Sequence, residues 1–287
     1  MKTSLEDVRS LHFWKAVFAE FIGTFILVVA GVGSTVQGWT ADSLDIVQIA
    51  LSFGLCVATS VWIIGHISGG HINPAVTCAM LVTRRISILR AIMFVIAQCL
   101  GAITGAGILK LVTPSSQVGG LGTTTLNTGV TPGQGFGIEL VITMGLVLTV
   151  FAACDSQRTD LGGSFPLTIG FAVVIGHLWA VEFTGSSMNP ARSLGPAIVM
   201  HIWTDHWVYW LGPITGGVLG GLLYDNILAS NASLRKARDF LMASRFDGPK
   251  SPELKSVIRE VDSEKGGQCE HYDYLSSEYS SPREIKM

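Results

Sequence analysis

Two matching stretches decide the fold: His71-Ile72-Asn73-Pro74-Ala75 and, in the second half of the chain, Ser187-Met188-Asn189-Pro190-Ala191. Asn is a preferred N-cap and Pro is favoured at the first helical position, so each stretch predicts the start of a helix. The apolar runs that follow, 75–82 and 191–200, are too short to cross a bilayer, which takes about 20 residues. The sequence therefore predicts two half-helices.

The composition around these stretches is that of a membrane protein. The chain has 287 residues, of which 48% are hydrophobic and only 14% are charged, whereas soluble domains carry roughly 25% charge. The net charge of −2 and the absence of a long basic block argue against a nucleic-acid partner. Residues 1–12 lack the apolar core of a cleaved signal peptide. Five cysteines are an odd number, and four lie in apolar stretches, so we expect small buried residues rather than disulfides.

Six apolar windows are long enough to be membrane spans. They are 16–36, 46–64, 91–109, 136–154, 165–181 and 207–224. Most Lys and Arg residues fall before the first window, between the second and third, between the fourth and fifth, and after the sixth. Because such residues favour the cytoplasmic side, both termini are predicted inside and residues 113–135 form an outer loop.

The two halves of the chain repeat each other. Glu20-Phe21-Ile22 is echoed by Glu139-Leu140-Val141, and the glycine spacing of Leu100–Gly105 by that of Leu211–Gly216. Each half holds three spans, so the second half must enter the membrane from the opposite face. Inverted repeats of this kind place a pathway at their interface near the bilayer midplane. Glycines at small-xxx-small spacing predict close helix packing.

The segments that lead into the half-helices, 66–73 and 182–189, are expected to line that pathway. Non-helical backbone at membrane depth is tolerated only when it is buried in protein or faces a wet cavity. Each half-helix N-terminus carries roughly half a positive charge, so two of them facing the pathway form a barrier to cations. The side-chain amides of Asn73 and Asn189 can donate hydrogen bonds to a neutral molecule there.

The sequence resembles the aquaporin (major intrinsic protein) family over about residues 15–229, most closely its water-selective vertebrate branch. The matching motifs are Gly65–Thr77, Cys154-Asp155-Ser156 and Met188–Ser193. The resemblance implies an all-α membrane protein with six transmembrane helices and two re-entrant half-helices in an inverted 3+3 repeat. It also implies multi-pass homotetramers in the cell membrane with one water pore per subunit.

The expected layout follows from these assignments. A cytoplasmic N-terminus, 1–12, precedes a channel domain, 13–229, with repeats 13–112 and 136–229. A cytoplasmic tail, 230–287, follows; we expect it to be largely disordered after a basic amphipathic helix at 230–246, and to meet cytoplasmic partners.

The resemblance further implies an outer constriction formed by Phe53, His177, Ser186 and Arg192. An aromatic ring and a histidine narrow such a pore, and Arg and His are expected to donate hydrogen bonds to water. Glycerol-conducting members usually have Asp where this chain has Ser193 and a small residue in place of His177, so water is the expected permeant. Water-selective members often carry Cys where this chain has Ser186, so mercurials are not expected to plug the pore here.

Glu20 and Glu139 are carboxylates inside spans, a placement that often marks a proton relay. Similar glutamates in the family support the re-entrant loops, and we expect that role here.

Ser87, which follows Arg84-Arg85, is a candidate phosphorylation site. A passive pore, a coupled carrier and a structural adhesion protein remain as alternatives. No nucleophile–base or metal-ligand cluster is evident, so we expect no enzyme activity, cofactor or metal.

Overall fold

The computed structural model describes residues 8–36, 45–158, 160, 162–230 and 232, and this part of the chain is helical with connecting loops. The long helices are α1 Leu11–Ile26, which continues as a π-helix Leu27–Val32, α2 Ile46–Ser68, α4 Ile88–Val112, α5 Pro132–Ala153, α6 Phe165–Thr184 and α8 Val208–Leu223, which continues as a π-helix Tyr224–Leu228. The short helices are α3 Pro74–Val82 and α7 Pro190–Met200. Nearly all of the predicted helix at 230–246, and the rest of the tail, lie outside the described residues.

Local capping chemistry accounts for where the long helices start. Asp45 accepts hydrogen bonds from two backbone N–H groups at the start of α2, and Thr131 forms a capping box with Gln134 at the start of α5. Side-chain oxygens satisfy N–H groups that have no partner within the helix. Helices α2 and α6 end at Ser68 and Thr184 and are capped by Gly69 and Gly185, whose φ values are 94° and 78°.

Among the described residues, five helices have the length and apolar composition of membrane spans: α1 with its π-helix, α2, α4, α5 and α6. The sixth, α8, has 16 residues and is lengthened by a five-residue π-helix. The approach segments are shorter than expected, because α2 runs on to Ser68 and α6 to Thr184. Only about four residues before each Asn leave the helical path, so the predicted segments 66–73 and 182–189 were too long.

The two repeats interlock through their half-helices. Within the repeats α1 packs on α4 and α5 on α8, while α2 packs on α6 across the interface. Half-helix α3 packs mainly on α8 of the second repeat, and α7 packs mainly on α4 of the first. Neither repeat therefore completes its own core, and the path between them is fixed by contacts from both halves.

Glycines let the long helices touch backbone to backbone. A Cβ on Gly101 of α4 would collide with the carbonyl oxygen of Phe21 on α1, and one on Gly216 of α8 would collide with that of Leu140 on α5. By these contacts Gly101 corresponds to Gly216, since Phe21 and Leu140 directly follow the paired Glu20 and Glu139. The sequence match pairs Gly101 with Gly212, one helical turn earlier on α8. The predicted packing role of the glycine spacing is confirmed by these contacts.

We expect Gly101→Ala to destabilise the protein by about 1–3 kcal/mol, because overpacking a close contact forces the backbone apart. Gly107→Ala on the same helix is the matched control, since no atom of another described segment lies within 4 Å of a Cβ there. Helix propensity alone would make both changes stabilising by roughly 0.5–1 kcal/mol. Thermal unfolding in detergent measures both, and equal midpoints for the two variants would contradict the packing role.

Candidate functional site

The two half-helices meet at their N-termini through Asn73 and Asn189. Asn73 Oδ1 accepts from Ala75 N at 2.8 Å, and Asn189 Oδ1 accepts from Ala191 N at 3.0 Å. The amide nitrogens bond across the junction, Asn73 Nδ2 to Met188 O and Asn189 Nδ2 to Ile72 O, both at 2.8 Å. A side-chain amide has two N–H groups. Each asparagine thus keeps one donor for another partner.

The segments before the two asparagines share an unusual backbone path. Positive φ angles recur at matching positions, namely Gly69, Gly70 and Ile72 in the first segment and Gly185, Ser186 and Met188 in the second. For residues other than glycine this conformation costs roughly 1–2 kcal/mol each. Such a path persists only where surrounding groups over-determine it.

Glu20 supplies that restraint for the first segment. Its fully buried carboxylate accepts from His71 N at 2.9 Å and Ile72 N at 2.6 Å. It also accepts from Ser68 Oγ at 2.6 Å and from Gln98 Nε2 at 2.7 Å. Four donors converge on two oxygens, which is the arrangement that an ionised carboxylate satisfies.

Glu139 repeats this arrangement in the second half. It is fully buried and accepts from Ser187 N at 2.9 Å, Met188 N at 2.8 Å and Thr184 Oγ1 at 2.7 Å. The structure thus places both predicted glutamates against the re-entrant backbone.

A cavity of about 40 Å³ runs between the repeats. Its polar lining includes His71, Asn73, Asn189, His177 and Arg192. Aliphatic side chains line the rest of its wall, among them Leu27, Val57, Val61, Val76, Leu146, Val150, Ile169 and Val173. This volume is the space open to the centres of water-sized molecules, and about 10–15 Å³ of it holds one water. The cavity therefore admits a short file of water-sized molecules.

Three of the four predicted constriction residues come together at one part of this cavity. The rings of Phe53 and His177 stack with centroids 4.4 Å apart, and the guanidinium carbon of Arg192 lies 4.9 Å from the Phe53 centroid. All three side chains are buried and line the cavity. Ser186 is buried, but it is not part of the cavity wall.

The hydrogen-bonding role of His177 differs from our expectation. We expected it to donate to water, but its Nδ1 lies 3.0 Å from the carbonyl oxygen of Val173. A carbonyl can only accept, so the neutral ring carries its proton on Nδ1. Nε2 is buried with no hydrogen-bond partner among the described residues and offers a lone pair. Arg192 is therefore the donor of the pair and His177 the acceptor.

The guanidinium of Arg192 is held from the outer loop. Its Nη1 donates to the carbonyl oxygen of Gly122 at 2.7 Å, while its buried Nε has no hydrogen-bond partner in the described part of the chain. The Gly122 backbone lies against the end of α1, where a Cβ would come within 2.7 Å of Val32 Cγ1. Sequence reasoning missed Gly122, because a backbone contact from a loop leaves no motif.

His71 belongs to the first motif, but the sequence predicted no role for it. It is buried, lines the cavity, and its Nδ1 lies 3.1 Å from Thr77 Oγ1. That hydroxyl donates to Asn73 O, so His71 Nδ1 must be the donor of the pair. Its place next to Ile72, at the turn into a half-helix, was the signal available in the sequence.

The remaining predicted features lie away from the cavity. Ser87 caps α4 by accepting from Arg90 N at 3.2 Å, and its phosphorylation stays a prediction. Within the described ranges, Cys56, Cys78, Cys99 and Cys154 form no disulfide; they are half-buried, whereas we expected them to be buried. Among the described residues no group of His, Cys, Asp or Glu could hold a metal.

Comparisons with known proteins agree with this geometry. The family model described as Major intrinsic protein matches residues 7–224. Aquaporin-4 of Mus musculus is 57% identical over 236 residues, covering 81% of this chain and 73% of that protein. Lens fiber major intrinsic protein of Lithobates pipiens is 50% identical over 222 residues, covering 77% and 84%. The solved aquaglyceroporin of Plasmodium falciparum superposes with a TM-score of 0.70 at 24% identity, covering 75% of this chain and 97% of that one, a likeness that shows the fold alone.

Proposed function

Because the chain belongs to the major intrinsic protein family, an integral membrane family of channels, we propose that it conducts water passively along osmotic gradients. The observation that carries this proposal is the cavity between the repeats, whose volume of about 40 Å³ suits a short file of water molecules. It connects the Arg192 constriction to the paired asparagines and to His71. The expected fold class is confirmed: the described part of the chain forms an all-α membrane protein with six long helices and two half-helices.

Selectivity follows from the chemistry of the constriction. Water loses hydrogen bonds on entering an apolar tube, and sparse donors and acceptors in the wall replace them. Arg192 supplies a donor and His177 an acceptor, while Phe53 fills the facing wall. Glycerol needs a wider cross-section and more polar partners than this ring provides. We therefore assign water as the permeant and Phe53, His177 and Arg192 as the filter. Ser186 is assigned to the filter from the family resemblance, because it is buried but is not part of the cavity wall.

Cation exclusion follows from the half-helices. The N-termini of α3 and α7 meet at the asparagines, and each brings a partial positive charge of about half a unit. Asn73 and Asn189 each present one remaining N–H, a donor that a cation cannot use. A water molecule at this point accepts from both asparagines, which leaves its oxygen unable to accept a proton from a neighbour.

A coupled carrier fits the structure less well. Such a carrier needs carboxylates that change their access to solvent, but Glu20 and Glu139 are both fully buried. Their oxygens are engaged by backbone and side-chain donors of the re-entrant segments. These contacts support a fixed, structural role for both glutamates. An adhesion role would depend on the outer loops, and the described loop 113–131 contacts the filter instead.

The assembly and setting are proposed with the function. We propose homotetramers with one pore per subunit, located in the plasma membrane with both termini in the cytoplasm. The distribution of Lys and Arg supports this orientation. The tail, 230–287, is proposed to meet cytoplasmic partners. Ser87 is proposed as a phosphorylation site, where a phosphate would lie at the N-terminus of α4.

Stopped-flow light scattering on proteoliposomes tests the function directly. Vesicles containing the purified protein are shrunk in an impermeant osmolyte, and their re-swelling is followed separately in glycerol. Fast shrinkage with a low activation energy and no accelerated re-swelling is the expected result. Shrinkage no faster than in empty vesicles, from protein that is still tetrameric, would refute a constitutive water pore.

External mercurials are expected to leave water permeability unchanged. None of the four described cysteines lines the cavity, and serine occupies position 186. Permeability is measured before and after a mercuric salt is added outside. Ser186→Cys is the matched variant, which we expect to become sensitive because water-selective members of the family often carry Cys at this position. Strong inhibition that survives replacement of Cys56, Cys78, Cys99 and Cys154 would contradict this assignment.

A further inference from the structure

A chain of hydroxyls connects the outer loop to the second pore asparagine. Thr124 lies between α4 and α5, outside both repeats, and its buried side chain donates from Oγ1 to Ser193 Oγ at 2.8 Å. Ser193 Oγ donates to Ser187 Oγ at 2.6 Å, and Ser187 Oγ donates to Asn189 O at 3.1 Å. The loop thus reaches the Asn-Pro-Ala segment through side chains.

The direction of this chain is fixed by proton counting. A hydroxyl carries one proton, so it can donate only one hydrogen bond. The carbonyl of Asn189 can only accept, so the Ser187 proton points to it and Ser193 must donate to Ser187. Thr124 is then the donor to Ser193. Hydrogen bonds aligned in this way polarise and strengthen one another.

Thr124 also lies close in sequence to Gly122, the residue that holds the Arg192 side chain. Two residues earlier, the Gly122 carbonyl accepts from Arg192 Nη1 at 2.7 Å. The loop therefore holds two successive residues of α7, Arg192 by a backbone oxygen and Ser193 by a hydroxyl. Release of the Thr124 contact would free the loop at one of these points and loosen the carbonyl that positions the guanidinium.

The first repeat lacks this dependence on a loop. Thr77 follows its asparagine by four residues, as Ser193 does, and donates to Asn73 O at 3.0 Å. Its oxygen accepts from Gln98 Nε2 at 3.0 Å, and Gln98 belongs to α4 of the same repeat. In the second repeat the corresponding donor is supplied by the outer loop. This difference lies at the end of the pore that carries the constriction.

We propose that Thr124 is a positioning residue for selectivity: its hydroxyl fastens the outer loop to α7 and thereby fixes Arg192 over Phe53. The role is specific to the hydroxyl, since a valine would fill the same space without donating. It rests on the proposed water conduction. The prediction is a change in which solutes pass, with the fold preserved.

The test compares Thr124→Val with Thr124→Ser and with Thr125→Val, an exposed threonine one position further on. Water and glycerol permeabilities are measured in proteoliposomes at equal protein density. We expect Thr124→Val to raise the glycerol-to-water ratio about fivefold, the factor that one typical buried hydrogen bond corresponds to. Thr124→Ser and Thr125→Val should keep the wild-type ratio.

Ser193→Ala interrupts the same chain from α7 and gives a second measurement. It should raise the ratio by a similar factor, and adding Thr124→Val to it should change nothing further, since coupled residues are not additive. If Thr124→Val does not yield folded tetramers, Ser193→Ala alone decides by the same ratio. A folded variant with a wild-type ratio overturns the inference. Absence of water flux in the wild type would instead refute the proposed function.

Discussion

Replacing Arg192 with valine is expected to increase glycerol permeability at least about tenfold while water permeability changes little. The guanidinium closes one side of the constriction, 4.9 Å from the Phe53 centroid, and is held there by Gly122 O. Valine removes its volume, its charge and its donors. A barrier lower by only about 1.4 kcal/mol gives a tenfold faster step.

The measurement is the re-swelling rate of proteoliposomes in glycerol, normalised to the amount of tetramer. Arg9→Val is the control, because Arg9 is exposed and is not part of the cavity wall. It should leave both permeabilities at wild-type values. If Arg192→Val forms tetramers and still excludes glycerol, the filter assignment is wrong.

Replacing Glu20 with glutamine is expected to prevent accumulation of folded protein. Glutamine places an NH₂ group where an oxygen accepts two hydrogen bonds, so two buried donors lose their partner and face another donor. Each unsatisfied buried group costs about 1–3 kcal/mol, and membrane interiors offer no water to compensate. The strained backbone at Ile72 would then lose its restraint. Yield of monodisperse protein in detergent and its thermal midpoint measure the effect.

Glu139→Gln should have the same character but a smaller effect, since three donors converge on Glu139 and four on Glu20. Glu182→Gln, at an exposed position, should behave as the wild type. A Glu20→Gln protein that folds normally and shows altered proton flux would instead favour the coupled carrier.

The sequence predicted the elements of this fold because each has a local cause. Membrane spans need long apolar windows, and the half-helices begin at Asn-Pro, which caps a helix by itself. Both half-helices begin at the proline after the asparagine, at Pro74 and Pro190. The predicted ends of α2 and α6 were less accurate. The backbone leaves these helices only at Gly69 and Gly185, and the N–H groups just after these glycines donate to Glu20 and Glu139.

The site was predicted to the extent that motifs or family resemblance pointed to it. The spacing of Glu20 and Glu139 in the repeat indicated paired roles, and their contacts with the re-entrant backbone agree. The assignment of Phe53 and His177 depended on resemblance, because an aromatic ring and a histidine in apolar helices are equally suited to core packing. Their rings stack with centroids 4.4 Å apart because α2 packs against α6, a contact that the sequence alone does not show.

The sequence by itself determined the membrane location, the inverted duplication and the two half-helices, because apolar length, residue order and capping are properties of single segments. Only the tertiary structure decided which atoms face the permeant. His177 presents the lone pair of Nε2 to the cavity because its Nδ1–H donates to Val173 O. Arg192 is held by the carbonyl oxygen of Gly122, which lies in a loop outside both repeats. Such roles depend on hydrogen bonds within the folded site, because a donor that is already bonded to the protein is not available to the permeant.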